Sequence, residues 1–373
     1  MVPSRPPLRI LHTESSIGWG GQEIRILTEA RGMLERGHQV ALLAPRSAEI
    51  FAAAREMGVP VHDVAILKKR VRDLASLYRW CRANVAAFDI VNTHSSTDSW
   101  LAAVVARITP GFPPIVRTRH VSTAVGKGLA TRWLYGRATA HVVTTGEALR
   151  QQLHRDIGMP LEHMSSVPTG IDLDRFAPRD RKVLRARLGV AERPTIGIVA
   201  TLRDWKGHDY LLDAFAELRR SHPAWQLLIV GDGPRRGHLE RRAAAAGLGD
   251  DVRFVGNRKN VEEWFATFDV FALPSFGDEG VPQGIMQAMA CRLPVVSTPV
   301  GAIAEALVDE VTGLMVPPRD ASAIATALAR LLLDDTLRDR LGEAGLRRAR
   351  ERFGLAPMLD AMETIFRRCA AAR

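Results

Sequence analysis

A glycine-rich segment in the second half of the chain has the residue types that bind a diphosphate. It spans residues 274–290, follows a short apolar run and opens an apolar-periodic stretch, so we predict a loop that leads into a helix with Pro282 at its first position. The start of such a helix offers free N–H groups and a positive dipole end to an anion. The candidate ligand-binding residues of this segment are Glu279, Gly280, Gln283, Gly284 and Gln287. Taken alone, these residues fit a diphosphate site and an ordinary surface loop equally well.

Other candidate residues also follow strand-like runs. Arg203 and Lys206 come after the run at 195–200, and Gly20 and Gly21 come after the run at 8–11. Fixed cations of this kind can stabilise a leaving diphosphate without a metal, although exposed arginines and lysines are usually plain surface charge. His94, Arg119 and His120 also follow strand-like runs. A lone histidine is more often structural than catalytic, so position in the fold has to decide these cases.

The elements that carry these residues alternate along the whole chain. Short apolar runs and amphipathic stretches follow one another, which indicates parallel sheets covered by helices. A chain of 373 residues is long enough for two domains. In the first half we predict strands at 8–11, 40–44, 90–92, 114–117 and 141–144. In the second half we predict strands at 195–200, 226–230, 252–255, 270–273 and 294–297.

The helix-free segment 168–178 separates the two halves. We therefore predict an α/β protein with two Rossmann-like doubly wound domains, over residues 1–176 and 177–355, that face a cleft. A terminal helix over 356–373 is expected to pack back on the N-terminal domain. Ligands bind beyond the carboxyl ends of strands in such sheets, which is where the candidate residues fall.

The segment 274–296 resembles the signature of glycosyltransferase family 4, a group of retaining, nucleotide-sugar-dependent enzymes with the two-domain GT-B fold. Glu279, Gly280 and Pro282 match its glutamate-glycine-x-proline, and the later Ala-Met-Ala and Leu-Pro-Val-Val also match. The second glutamate of the pattern is replaced by Gln287. The resemblance implies that Glu279 lies against the donor sugar and that Gln287 contacts the ribose without a charge.

The resemblance covers nearly the whole chain. It implies that Lys206 binds the donor phosphates and that Gly20 and Gly21 face the diphosphate, and it adds Val281, Gln283 and Gly284 to the donor site. Thr201 stands where the family has an arginine, and Arg203 could supply the missing charge. His120 falls on a family position close to the reacting sugar, while His94 and Arg119 are candidates for the acceptor side.

The net charge of +10 is unevenly distributed, because residues 60–140 contain twelve basic and four acidic residues. Basic residues beside aromatic ones suit an anionic membrane surface, and a solvated helix face is an equal alternative. No nucleic-acid-binding motif is present. We name the following nine residues the basic surface: Lys68, Lys69, Arg70, Arg72, Arg79, Arg82, Lys127, Arg132 and Arg137.

Three widely spaced cysteines, Cys81, Cys291 and Cys369, favour neither a disulfide framework nor a zinc site. The first residues lack the apolar run of an export signal, and no stretch is long enough to span a membrane. We therefore expect a cytoplasmic protein, peripheral on the cytoplasmic face of the inner membrane.

The function we predict is retaining, metal-independent transfer of a sugar from a nucleotide sugar to a glycan or glycolipid acceptor, with no cofactor. Synthesis of cell-envelope polysaccharide or lipopolysaccharide is the expected setting. A non-catalytic nucleotide- or glycan-binding homologue is the alternative from another class, because charge is missing at Thr201 and Gln287. A nucleotide-sugar epimerase or a phosphorylase of similar fold is the alternative among enzymes.

Overall fold

The computed structural model describes residues 6–120, 125–277 and 279–372. Residues 1–5, on which part of the expectation about an export signal rests, lie outside these ranges. The chain divides into two compact units, Met1–Gly170 with Leu355–Arg373 and Ile171–Gly354. Each unit contains one parallel sheet with helices packed against it.

The sheet of the first unit has seven strands in the order β3-β2-β1-β4-β5-β6-β7, all of them parallel. Its central strands are buried on both faces because helices cover both sides of the sheet. The order reverses between β1 and β4, which makes this pair the topological switch point. The strands are β1 Arg9–Thr13, β2 Gln39–Ala44, β3 Val61–Asp63, β4 Ile90–Thr93, β5 Ile115–Arg119, β6 His141–Thr144 and β7 Met164–Ser166.

The sheet of the second unit has six strands in the order β10-β9-β8-β11-β12-β13, again all parallel. Its switch point lies between β8 and β11, so the loops that follow these two strands start side by side. The strands are β8 Thr195–Val199, β9 Gln226–Val230, β10 Val252–Gly256, β11 Val270–Leu273, β12 Val295–Ser297 and β13 Gly313–Met315.

Helices connect successive strands in both units. In the first unit they are α1 Gly21–Glu35, α2 Glu49–Glu56, α3 Val71–Asn84, α4 Ser96–Ile108, α5 Leu129–Gly136, α6 Glu147–Ile157 and, from the chain end, α15 Leu355–Ala371. In the second unit they are α7 Arg181–Leu188, α8 His208–Ser221, α9 Arg236–Ala245, α10 Val261–Phe265, α11 Gln283–Ala290, α12 Ile303–Ala306, α13 Ala321–Leu333 and α14 Asp335–Arg352.

The unit boundary lies six residues before the position expected from the sequence. Ile171 donates its backbone N–H to the Phe353 carbonyl at 2.7 Å and bridges Gly354, so it already belongs to the second unit. Phe176 packs edge-on against Phe265, with ring centroids 6.0 Å apart. The segment that the sequence analysis assigned to the first domain up to residue 176 is therefore anchored to the core of the second.

The terminal helix α15 packs on α1 within the first unit. At the contact, Gly32 faces Leu359 so closely that a Cβ on Gly32 would lie 2.4 Å from the Leu359 Cδ1. Met358, Leu359, Met362 and Phe366 join the same buried cluster as Ile26 and Leu27. A glycine on α1 thus allows the last helix of the chain to complete the first core.

The boundaries around this helix also differ slightly from expectation. The second unit ends at Gly354 and α15 begins at Leu355, one residue before the predicted limits. Pro357 lies inside the first turn, where its missing N–H has no intrahelical partner to lose. Within the described part of the chain, no helix is long and apolar enough to cross a membrane.

Candidate active site

In each unit several of the predicted site residues follow the two strands of the switch point, while Arg119 and His120 lie at the end of β5. In the second unit Lys206 follows β8 and Glu279 follows β11, the two strands on either side of the reversal. In the first unit Gly20 follows β1 and His94 follows β4, again the two strands of the switch point. Open α/β sheets bind ligands at this position because adjacent loops diverge and leave a crevice.

Lys206 and Glu279 form a close ion pair although 73 positions separate them in sequence. The Lys206 Nζ donates to both carboxylate oxygens of Glu279, at 2.7 Å and 2.9 Å. The Ser275 hydroxyl donates to the Glu279 Oε1 at 2.8 Å. Both charged side chains are largely buried, so the pair is weakly screened by solvent. An anion that binds Lys206 has to compete with this carboxylate.

Close backbone packing fixes the loop that carries Glu279. Gly301 has φ +58° and touches the backbone of Glu279, where a Cβ would lie 2.1 Å from the carbonyl oxygen. The Ala302 N–H donates to the same carbonyl at 2.8 Å. On the other side, the Phe276 N–H donates to the Trp205 carbonyl at 2.8 Å, and Gly207, at φ +77°, leaves no room for a Cβ against Pro274. These contacts align the Lys206 turn with the Glu279 loop.

Helix α11 begins directly after this loop. Pro282 is its N-cap and Gln283 its first residue, one position later than predicted. Val281 is buried, while Gly280, Gln283 and Gln287 are partly exposed. Gly284 was expected to let a ligand approach; in the structure a Cβ there would lie 3.1 Å from the Val199 carbonyl, so this glycine also lets the helix pack on the sheet.

Arg203 does not join the Lys206–Glu279 pair. Its side chain is exposed, with the guanidinium carbon 5.3 Å from the centre of the Trp205 ring. Arg235 is the cation that contacts this turn from β9's side: it donates to Asp209 at 2.8 Å and lies 3.5 Å from Asp204. Arg235 is not among the residues predicted from the sequence; it follows β9, whereas Arg203 and Lys206 follow β8.

The glycine loop of the first unit is organised by a buried carboxylate. Gly20 caps α1 with extended backbone and Gly21 is the first, exposed residue of the helix. Glu14, directly after β1, accepts from the Ser16 N–H at 2.6 Å and from the Gln22 side chain at 2.5 Å. Ser95, before α4, donates to the same carboxylate. Burial raises the pKa of Glu14.

Three histidines from β1, β4 and β5 form a hydrogen-bonded chain. The His94 Nε2 lies 2.9 Å from the Nδ1 of His12, and the His94 Nδ1 lies 3.0 Å from the Nε2 of His120. Successive ring centroids are 5.2 Å apart. Burial lowers the pKa of all three, that of His12 to about 3. The two predicted histidines, His94 and His120, are therefore hydrogen-bonded to each other, and His94 is also hydrogen-bonded to His12, which was not predicted.

Asp98 supports the loop that carries His94. It accepts from the His94 N–H at 2.9 Å and from the Thr13 hydroxyl at 2.6 Å. Arg119, predicted to contact the acceptor, is buried and donates to the Tyr135 hydroxyl at 2.9 Å. Arg117 stacks on the same ring, with its guanidinium carbon 4.3 Å from the centroid. Both arginines thus face the interior of the unit, unlike the residues of the basic surface.

His12, Glu14 and Asp98 are the polar residues of this site that sequence reasoning missed. His12 directly follows the predicted strand at 8–11, although the observed β1 extends to Thr13 and includes it. Glu14 and Asp98 each lie one or a few residues beyond a strand, in the same kind of position as the residues that were identified. A search of every polar residue after each predicted strand would have found all three.

The residues of the basic surface are all exposed, and Lys69 among them has an aromatic and a polar neighbour. The Lys69 Nζ lies 5.5 Å from the centre of the Trp100 ring and donates to the Ser96 hydroxyl at 3.2 Å. Trp100 in turn lies against Trp133, with centroids 6.0 Å apart. Beside the basic residues, Val71 and Leu129 are 84% and 85% exposed. Cationic and apolar side chains therefore share this surface.

No group of three or more histidine, cysteine, aspartate or glutamate side chains in residues 6–120, 125–277 and 279–372 is placed to hold a metal ion. The three histidines bind one another instead. The cysteines Cys81, Cys291 and Cys369 are buried, and burial raises the pKa of each thiol.

Comparison with known proteins places both units in one family. Residues 19–175 match the model of Glycosyltransferase Family 4, and residues 193–334 match that of Glycosyl transferases group 1. A phosphatidyl-myo-inositol mannosyltransferase of Mycobacterium leprae is 29% identical over 341 residues, 87% of each chain. A D-inositol 3-phosphate glycosyltransferase of Saccharomonospora viridis is 31% identical over 315 residues, 76% of this chain and 71% of the relative.

A solved structure supports the fold. The crystal structure of Anabaena HepE in complex with UDP superposes with a TM-score of 0.85 at 21% sequence identity, over 96% of this chain and 99% of that one. The two parallel-sheet units therefore form the GT-B fold expected from the sequence. On the strength of both family models and a relative of 31% identity, the chain belongs to the glycosyltransferases of family 4 and group 1.

Proposed function

We propose that this glycosyltransferase is a retaining, metal-independent enzyme that transfers a sugar from a nucleotide sugar to a glycan or glycolipid acceptor. The observation that carries the proposal is the buried pair of Lys206 and Glu279 at a switch point, beside the start of α11. A cation and a helix N-terminus stabilise a leaving diphosphate, and the carboxylate can bind sugar hydroxyls. The fold and the family supply the setting for these roles.

Each predicted residue has a proposed task. Lys206 binds the diphosphate and stabilises its charge as the bond to the sugar breaks. The backbone N–H groups near Gln283 and Gly284 bind the same phosphates, and Gln287 contacts the ribose. Glu279 orients the sugar, and His120 contacts a sugar hydroxyl. Arg203 is less favoured as a phosphate ligand than the sequence suggested, since its guanidinium stacks on Trp205.

Substitution of Lys206 tests the proposal. We expect Lys206→Ala to lower kcat at least 100-fold, because one preorganised charge contact to a transition state contributes roughly 3–4 kcal/mol. Lys182→Ala, which removes an exposed lysine of the same unit, is the matched control and should leave turnover unchanged. A panel of nucleotide sugars supplies the substrates. Turnover by Lys206→Ala at the wild-type rate would contradict the assignment, and binding without turnover by the wild type would favour the non-catalytic alternative.

Two further measurements test the finer claims. Retention predicts that the product keeps the anomeric configuration of the donor sugar, which NMR of the product determines; inversion would contradict it.

Metal independence predicts full activity after chelation with EDTA, and activity that returns only on addition of a divalent cation would contradict it. Free isomerised sugar, or dependence on inorganic phosphate, would favour the epimerase or the phosphorylase.

We also propose that the acceptor is an envelope glycan or glycolipid, in polysaccharide or lipopolysaccharide synthesis. The support is chemical: one relative is named for phosphatidyl-myo-inositol, and another for inositol 3-phosphate, which are both anionic. The basic surface of this chain has the opposite charge. A cytoplasmic enzyme that is peripheral on the inner membrane would be recruited to such an acceptor by this surface.

Liposome binding tests the membrane contact. Reversal of the charges of Lys68, Lys69 and Arg70 to Glu should weaken binding to anionic liposomes, because each basic residue near the surface contributes about 1 kcal/mol. Reversal of Arg347, Arg350 and Arg352 in the second unit, all three of which are exposed in α14, is the matched control for net charge. Equal loss of binding in both variants would show a net-charge effect and contradict a specific contact.

A further inference from the structure

The histidine chain extends from His12 in the interior of the first unit to the partly exposed His120 at the end of β5. His12 is fully buried, His94 is buried and His120 is partly exposed. The two hydrogen bonds, at 2.9 Å and 3.0 Å, each join an Nδ1 of one ring to an Nε2 of the next. The Nε2 of His12, at the buried end, has no hydrogen-bond partner among the described residues.

Proton counting restricts the chain to two arrangements. Burial lowers the pKa of all three rings, and the nearby Arg25 further disfavours protonation of His94 and His120, so each ring is neutral and has one N–H. In the first arrangement each Nδ1–H donates outward, from His12 to His94 and from His94 to His120. In the second each Nε2–H donates inward. His94 has a single proton, so the two hydrogen bonds must run in the same direction.

The buried end decides between these arrangements. An inward chain leaves the Nε2–H of His12 as a donor without an acceptor, whereas an outward chain leaves only a lone pair there. Buried N–H groups without a partner are rarer in proteins than unsatisfied acceptors. We infer that His94, through its bond to the buried His12, is a positioning residue that holds His120 as the tautomer with its proton on Nδ1.

This tautomer determines what His120 can do in the proposed reaction, and that step of the inference rests on the proposed function. With its Nε2 occupied as an acceptor from His94, the ring presents an Nδ1–H donor. A neutral donor can bind a hydroxyl oxygen of the sugar, but it cannot remove the proton from that hydroxyl. His120 is therefore a fixed hydrogen-bond donor and not a general base.

Nitrogen NMR of the wild-type protein tests the tautomer directly. With ¹⁵N-labelled histidine, protonated and unprotonated ring nitrogens have well-separated shifts, and a His120→Asn variant assigns the His120 signals. We expect Nδ1 of His120 to be protonated and Nε2 to be unprotonated. The opposite assignment would overturn the inference. This readout needs no substrate, so it holds even if no nucleotide sugar proves to be turned over and the proposed function fails.

Substitution of His94 tests the positioning role. His94→Leu removes the donor to the Nε2 of His120, so we expect a shift toward the Nε2–H tautomer and a fall in kcat/KM of about tenfold, the effect of one hydrogen bond. His94→Asn places an amide donor where the Nδ1–H was. It should therefore restore most of the His120 tautomer with its proton on Nδ1 and most of the wild-type kcat/KM. A buried histidine outside the chain, His141, is the control: His141→Leu should keep the wild-type tautomer of His120.

The outcomes separate a positioning role from a structural one. If His94→Leu and His141→Leu lower kcat/KM equally, while the His120 tautomer is unchanged in both, His94 contributes only to stability and the inference fails. If His94→Leu does not fold, the wild-type spectrum and the His94→Asn variant still decide the tautomer.

Discussion

The ion pair between Lys206 and Glu279 gives the donor site a charge balance that no single motif reveals. Each residue was identified from its own motif, Lys206 after β8 and Glu279 after β11, and the structure joins them at 2.7 Å. Glu279 therefore neutralises the cation in the structure, and under the proposed function it would also offer oxygens to a sugar. These effects can be separated by a ligand that has phosphates but no sugar.

Substitution of Glu279 should affect binding and transfer in opposite directions. We expect Glu279→Gln to bind a nucleoside diphosphate several-fold more tightly, because Lys206 loses its competing carboxylate and charge-assisted hydrogen bonds contribute roughly 1.5–3 kcal/mol. Transfer of the sugar should fall. Isothermal titration calorimetry measures the first effect. Weaker binding than wild type would show that Glu279 mainly holds Lys206 in position, and the double variant Lys206→Met/Glu279→Gln should lose the gain.

At the scale of elements, glycines decide how the loops of the second unit fit together. Gly301 allows the loop after β12 to touch the backbone of Glu279, and Gly284 lets α11 approach β8. The sequence predicted close approach of a ligand at Gly284 and made no such prediction for Gly301, and the structure places protein backbone close to both glycines. Thus a glycine in a signature motif can be required for packing.

A matched pair of glycine substitutions tests this conclusion. Gly301 and Gly189 have almost the same φ, +58° and +62°, but a Cβ would clash only at Gly301. Gly189→Ala should cost about 1 kcal/mol of unfolding free energy through backbone strain alone, with activity retained. Gly301→Ala should cost more and lower kcat roughly 100-fold, since it displaces Glu279. Equal activity of the two variants would contradict a role of Gly301 in placing Glu279.

Each of the ten predicted strands corresponds to a strand of the structure. The strands that were not predicted are β3, β7 and β13, each three residues long. All three are edge strands of their sheets. The pairing that defines so short an edge strand comes from a neighbour distant in sequence, and three residues alone carry little periodicity.

At the scale of the whole molecule, buried neutral histidines couple stability to pH. Burial lowers the pKa of His141 and of His208 to about 4, one in each unit, and that of His12 to about 3. Between these values and about 6.5, the unfolded chain binds more protons than the folded one. The contribution of these histidines to the free energy of unfolding therefore rises with pH over this window and levels off above it.

His208 provides a test in the second unit, because its side chain is buried and burial lowers its pKa to about 4. Relative to His208→Leu, the free energy of unfolding of the wild type should rise by about 2–3 kcal/mol between pH 4 and pH 6.5. Linkage allows at most about 1.36 kcal/mol for each pH unit of this window. Urea unfolding of both proteins at several pH values measures the difference. Parallel pH profiles would show that His208 is not kept neutral by folding.

The basic residues between 60 and 140 differ in burial, so their net charge does not describe one uniform surface. Of the twelve basic residues between 60 and 140, Arg117 and Arg119 are buried against Tyr135, while the nine residues of the basic surface are exposed. Sequence alone counts all twelve as one patch. Burial separates those that stabilise the first unit from those that can meet an anionic partner.

The sequence by itself determined the two α/β units and the family, and it supplied the candidate residues for a donor site. It could do so because periodicity and glycine-rich turns are local, and because a motif that follows a strand must lie at the carboxyl edge of its sheet. The tertiary structure decided which of these residues meet: Lys206 with Glu279, and His94 with both His12 and His120. Such pairs depend on strand order, which brings together residues that are 26 to 82 positions apart in sequence. The local sequence around either partner does not indicate this order.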